Sequence, residues 1–279
     1  MEIENQEILA FVNAVKSLSE YDFTEYSDKS LKRRLSKVLL DHQMTPESLL
    51  DKIHSDRDFL EEIVKEITVN TTEMFRDPGI WHSLRYDILP QFQSLPQISI
   101  WHPGCSTGQE VFSMMILLNE LGLLQKSRIY ATDINGDVLD VAREGVYKYR
   151  FNEGYLANFD AVIKENPRDS NTYFNVPYSK YFNIDKTRDK IRLNKQLIVK
   201  PVYKKQDLVR DPNPFDEVYD LIVCRNVIIY FNYELQNKVF KLFLDNMNQG
   251  ACLLLGVHES ILGPFSARFN KKYEAYFKK

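Results

Sequence analysis

Trp101-His102-Pro103-Gly104-Cys105-Ser106-Thr107-Gly108-Gln109-Glu110 is the stretch on which the fold turns. A short apolar run at residues 98–101 precedes it and an amphipathic stretch at 110–121 follows, so the glycines mark a strand-to-helix turn. Gly104 and Gly108 bracket a loop where backbone can approach a ligand with no Cβ in the way. A plain strand-to-helix connection explains two glycines equally well. The spacing is not the GxGxxG of dinucleotide sites, and no Lys-Ser/Thr follows Gly108 as a P-loop requires.

Outward from that turn the same alternation continues. Apolar runs at 128–134, 197–203, 220–225 and 251–257 predict strands, and amphipathic segments near 138–143 and 233–247, the latter behind an Asn232 cap, predict helices. Such alternation predicts parallel βαβ units and an α/β domain. Residues 147–195 interrupt it with a Tyr-, Asn-, Lys- and Asp-rich stretch whose segments 181–184 and 190–193 alternate, which predicts a small antiparallel insert. The aromatic, alternating segment 265–277 predicts a strand pair. Before the sheet, Ile8, Phe11, Val12 and Val15 repeat at helical spacing, as do Leu31, Leu35, Val38 and Leu39, then Phe59, Leu60, Ile63, Val64 and Ile67; Thr45-Pro46 reads as a cap and first turn. The expected division is an all-α domain over 1–70, a connecting segment over 71–95 that contributes to the site, and an α/β domain over 96–279 with its insert.

Composition narrows the function. With 279 residues there is enough chain for a helical module and a larger core. Lys and Arg number 36 against 39 Asp and Glu, a formal charge of -3, which gives no global field for a phosphate backbone and argues against nucleic acid as partner. Cys105, Cys224 and Cys252 are widely spaced with no CxxC pair, so neither a disulfide framework nor a metal site is expected. The start, MEIENQEILAF, is acidic and amphipathic rather than a secretory signal, and no apolar run reaches the ~20 residues that span a bilayer. A cytoplasmic protein that meets membrane only through a partner is expected.

Three further stretches carry chemistry. Asp133 ends the second strand one βα unit after the glycine loop, where a carboxylate can accept from ribose hydroxyls; an Asp before a helix is as often a cap. Arg225 and Asn226 make the carboxyl end of the apolar run 220–231 abruptly polar, at the edge where open α/β sheets bind ligands. A buried Arg must find partners, so a structural network is the competing reading. Asn70-Thr71-Thr72-Glu73-Met74-Phe75-Arg76-Asp77 lies between the helical module and the sheet, too polar for a core segment.

Asn-x-Thr-x-x-x-Arg, Cys-Ser-x-Gly-x-Glu, Ala-Thr-Asp-Ile and Cys-Arg-Asn-Val-x-Ile-Tyr-Phe, in this order, resemble the signature of the CheR family of chemotaxis methyltransferases. The resemblance spans most of the chain. It implies a Rossmann-like methyltransferase domain with a small antiparallel β insert, preceded by an all-α domain, and S-adenosylmethionine as cofactor, left as S-adenosylhomocysteine. By similarity Asn70, Thr72 and Arg76 reach the cofactor from the connecting segment, the Gly104 loop and Glu110 from the first βα unit, Asp133 at the ribose, and Arg225 and Asn226 from the strand edge. Asp207-Leu208 matches a position that is usually Asn-Leu. Met74 stands where the family usually has Phe, and Val111-Phe112 where it has Pro-Tyr.

The reaction so implied is esterification of glutamate carboxylates on a chemotaxis receptor or similar acidic helical protein. Arg76 and Tyr230 are expected to position the acceptor. Arg33 and Arg34, with Lys29, Lys32 and Lys37, are expected to dock it by charge from the exposed face of a basic helix, for which a solvated face is the alternative. A monomer is expected. The rival readings are a same-fold methyltransferase with another acceptor and a non-catalytic cofactor-binding module.

Overall fold

The computed structural model describes residues 3–68, 71–198 and 200–279. Four helices come first: α1 (Asn5–Leu18), α2 (Asp28–Asp41), α3 (Pro46–Ser55) and α4 (Arg57–Ile67). Their helical-period apolar residues, from Phe11 and Val15 through Leu35 and Leu39 to Leu60 and Ile63, bury one another in a separate core. Thr45 caps α3 by accepting from the Ser48 amide, with Pro46 in the first turn, and Asp56 caps α4 through the Phe59 amide. Each cap satisfies a backbone donor that the helix leaves unpaired.

Residues 78–92, expected as part of the connecting segment, are helical. They form α5 (Pro78–Ser83) and two further short turns, and Ile80, Trp81, Leu84, Ile88, Leu89 and Phe92 are buried in the main core. Pro78 pre-sets the first turn, and the apolar spacing beyond it is helical.

The sheet runs in the order β6-β2-β1-β7-β8-β10-β9. Its strands are β1 (Ile98–Pro103), β2 (Ser127–Asp133), β6 (Val202–Lys205), β7 (Tyr219–Cys224), β8 (Met247–Leu255), β9 (Phe269–Lys272) and β10 (Ala275–Lys278). The first five in space are parallel, and β10 and β9 are antiparallel additions. Helices α6 (Gln109–Glu120), α7 (Gly136–Glu144) and α11 (Tyr233–Asp245) make the crossovers, and α11 opens behind the expected Asn232 cap. The strand expected at 197–203 is instead α10 (Lys195–Ile198) followed by β6, because Pro201 cannot donate to a ladder and strand pairing begins only after it. A separate sheet of β3 (Val146–Lys148), β5 (Lys190–Leu193) and β4 (Phe182–Asp185) is the antiparallel insert, with short helices α8 (Tyr149–Asn152) and α9 (Tyr155–Phe159) leading into it. Among the described residues no helix is long and apolar enough to cross a membrane.

Strand order reverses between β1 and β7, which creates a crevice at their carboxyl ends. The helical domain covers that crevice through main-chain pairing: Tyr26 bridges Phe231, the Ser27 amide donates to the Tyr230 carbonyl at 2.8 Å, and the Asn232 amide to the Glu25 carbonyl at 2.9 Å.

Candidate active site

A cleft of about 1040 Å³, measured to its open mouth, lies under that seam. Of the residues singled out in the sequence it brings together Thr72, Arg76, Gly104, Glu110, Asp133, Asp207, Leu208, Arg225, Asn226 and Tyr230. Asn70 lies outside the described residues. The β1 loop must be glycine where it meets the β7 tip: Gly104 has φ +71, and a Cβ there would sit 2.4 Å from Val227 Cγ2. Gly108, at φ +86, would put a Cβ 2.8 Å from that of Ala142 on α7.

Arg225 is almost wholly buried, and both terminal nitrogens of its guanidinium are engaged. It donates to Glu110 Oε2 at 3.0 Å, to Asp77 Oδ2 at 2.7 Å and to the Arg76 carbonyl at 2.9 Å. The structural network weighed from sequence is therefore present, and it fixes the connecting segment, the first βα unit and the β7 tip to one another. Glu110 Oε1 faces His102 Nδ1 at 3.3 Å. Burial alone would raise the Glu110 pKa, but His102 and Arg225 outweigh it, so this carboxyl titrates below its ordinary range.

Asp133 also does more than face a ligand. Its Oδ2 accepts from the Ser106 amide at 2.8 Å and its Oδ1 from the Asn135 amide at 3.0 Å, pinning the glycine loop to the end of β2. Each carboxylate oxygen retains a further lone pair for a donor in the cleft. Several buried polar atoms in the cleft wall have no partner among the described residues: Ser106 Oγ, Gln206 Oε1, Asp207 Oδ2 and Arg225 Nε. Buried polar groups are normally satisfied, so this set fits a polar nucleoside that supplies both donors and acceptors.

Burial pushes the Asp207 carboxyl up to about 6, against an opposing hydrogen bond from the Val209 amide. The folded group thus holds its proton more tightly than the unfolded one. Stability owed to it is complete below its ordinary value of 3.8 and is lost as pH rises through about 6. Asp207→Asn, which cannot ionise, is expected to stabilise the free protein by about 1–2 kcal/mol at pH 7.5 once partial exposure is discounted. In melting curves the advantage should shrink toward pH 4; an advantage independent of pH would show that ionisation is not its origin.

The basic helix α2 needs one correction. Arg33 is exposed as expected, but Arg34 is not on the outer face: it lines the cleft, its guanidinium 4.8 Å from the centre of the Tyr230 ring. Helical geometry explains this, since Arg34 lies three residues after Leu31, on the flank that turns toward the β7 tip. The Arg76 guanidinium borders the same cleft and makes no hydrogen bond or ion pair with a described residue.

Glu259, which the sequence reading missed, holds the β7 tip from beneath. It is 8% exposed, and its two oxygens accept from the amides of Asn226 and Gly256, each at 2.7 Å, and of Val227 and Ile229 at 2.9 and 3.2 Å. Burial raises its pKa although those donors resist. Its signal in the sequence was a lone acid just after a buried strand.

A doubly wound sheet with a glycine turn, a strand-end acid and a polar strand tip converging on one nucleoside-sized cleft makes a Rossmann-like nucleoside-binding site. Known families refine this. The CheR methyltransferase, SAM binding domain matches residues 70–165 and 168–275, and the CheR methyltransferase, all-alpha domain matches residues 6–68. Cher3 of Pseudomonas putida is 34% identical over 265 residues, 94% of this chain and 92% of that one. The chemotaxis protein methyltransferase of Listeria innocua is 28% identical over 262 residues, 93% and 92% of the two chains. Chemotaxis protein methyltransferase 1 of Vibrio cholerae is 28% identical over 273 residues, 94% and 91%. The chain belongs to the CheR methyltransferase family, and its cofactor is S-adenosylmethionine.

Proposed function

We propose that this chain methylates glutamate side-chain carboxylates on a chemotaxis receptor or a similar acidic, helical signalling protein in the cytoplasm, forming glutamyl methyl esters. The observation that carries the reading is the cationic, hydrogen-bonding mouth of the cleft. Arg76 has no side-chain partner there among the described residues and Tyr230 stands beside Arg34, an arrangement suited to an anionic acceptor.

When bound, the cofactor would supply an electrophilic methyl group on a cationic sulfur, for transfer to a carboxylate oxygen held beside it. A glutamate carboxylate, with a pKa of ~4.3, is already anionic at neutral pH, so no side chain need remove a proton. Thr72, Asp133, Asp207 with Leu208, and Asn226 are the proposed cofactor contacts, with Asn70 added from the family resemblance; Glu110 and Arg225 shape that wall. Arg76 would pair with one acceptor oxygen and Tyr230 would hold or flank the other. Positioning of this kind contributes up to ~7–11 kcal/mol in well-oriented systems.

The test is transfer of radiolabelled methyl from S-adenosylmethionine to acidic receptor fragments and to a native lysate. Label that is lost in mild alkali is expected, because carboxyl esters hydrolyse and N-methyl groups do not; alkali-stable label would overturn the ester reading. Arg76→Ala should lower turnover about 10²-fold, measured at saturating cofactor. Turnover unchanged by both Arg76→Ala and Tyr230→Phe would remove their proposed roles.

A further inference from the structure

The cleft is not made by the sheet domain alone. Tyr26, from the loop between α1 and α2, lines it together with Asp133, Asp207 and Leu208. Its ring is clamped on two sides, edge-on to Phe23 at 4.9 Å and to Phe231 at 5.2 Å. Its backbone is fixed by the bridge to Phe231 and by the flanking Ser27–Tyr230 and Asn232–Glu25 hydrogen bonds. Lys238 of α11 holds Glu25 next to it at 2.5 Å. Two aromatic contacts, a main-chain bridge and an ion pair thus aim one phenol, and that phenol makes no hydrogen bond to a described residue.

Its surroundings show where it is aimed. Burial raises the Tyr26 pKa, and the negative charges of Asp207 and then Asp133 raise it further, with Arg34 opposing. The hydroxyl therefore lies in the field of both carboxylates that face the nucleoside part of the cleft, and it stays protonated, a donor, at neutral pH. Asp133 already accepts two amides and Asp207 one, whereas Asp207 Oδ2 has no partner among the described residues.

We infer that the Tyr26 hydroxyl is a cofactor-site residue, contributed by the helical domain, that hydrogen-bonds the nucleoside portion of S-adenosylmethionine between Asp133 and Asp207. This rests on the proposed placement of the cofactor in this cleft. It makes the helical domain part of the donor site as well as a candidate platform for the acceptor. The cofactor can then be held fully only while residues 25–27 are docked on 230–232.

Calorimetry on the full chain tests it with two probes: S-adenosylhomocysteine, and 5′-methylthioadenosine, which carries the nucleoside without the amino-acid arm. Tyr26→Phe keeps both ring contacts and removes only the hydroxyl, so it should melt with the parent while binding both probes about 5–10-fold more weakly, the worth of one buried hydrogen bond. Unchanged affinity for both, or a loss confined to S-adenosylhomocysteine, would overturn the inference. Hydrogen exchange on the unaltered protein gives a reading independent of folding in the variant: S-adenosylhomocysteine should slow exchange across residues 23–31, and no slowing there while the sheet-domain loops are protected would equally overturn it. If the unaltered protein binds neither probe, the cofactor placement itself fails, a different result from a Tyr26 variant that binds as the parent does.

Discussion

Arg225→Ala is expected to eliminate measurable binding of S-adenosylhomocysteine and to cost about 3–5 kcal/mol of stability, the scale for removing one partner of a buried ion pair. Removing the guanidinium leaves the Glu110 and Asp77 carboxylates facing one another with no cation between them, and frees the Arg76 carbonyl. At about 2–4 °C per kcal/mol for domains of this size, melting should drop by roughly 6–20 °C. Lys is not a substitute, because three acceptors in different directions need a planar fork of donors. A variant that melted with the parent and bound normally would mean that the network is dispensable.

Glu259→Ala should have nearly as large an effect. One carboxylate satisfies four amides around the β7 tip, and one of them belongs to Asn226, which sits at φ +59 where few non-glycine residues rest. Unpaired buried donors cost about 1–3 kcal/mol each, but the loop can relax toward solvent, so a total of about 2–4 kcal/mol is expected in denaturant unfolding. Glu259→Gln should recover little, since its NH2 group would abut amides that already donate. Full recovery by Gln would show that shape, rather than acceptor count, is what position 259 provides.

Much of this was readable in the residues. The glycine turn, the Asn232 and Thr45 caps and the alternating segments 181–184 and 190–193 carry local signals, because each depends on chemistry within a few positions. What escaped depends on neighbours far along the chain. Residues 78–92 look like a connection until Trp81 and Leu84 are seen to be buried under the sheet. Arg34 could be placed on a helix but not on the side that meets Tyr230. Glu259 and Tyr26 belong to no motif, and their importance comes from what they touch: four amides in one case, two aromatic rings and two acidic neighbours in the other.

Part of the seam between the halves is written in peptide groups, amides of residues 27 and 232 meeting carbonyls of 230 and 25, and the rest in side chains, with Lys238 on Glu25, Arg210 on Asp22 and Lys65 on Asp137. The peptide part of that junction is indifferent to most side-chain identities, whereas the ion pairs and the Tyr26–Phe231 contact are not. A hybrid in which another family member's helical module replaces this one should therefore seat where that module keeps acids in the places of Asp22 and Glu25, carrying its own α2 surface over the sheet-domain part of the site. Target choice could drift in one half of such a protein while the other keeps the same reaction.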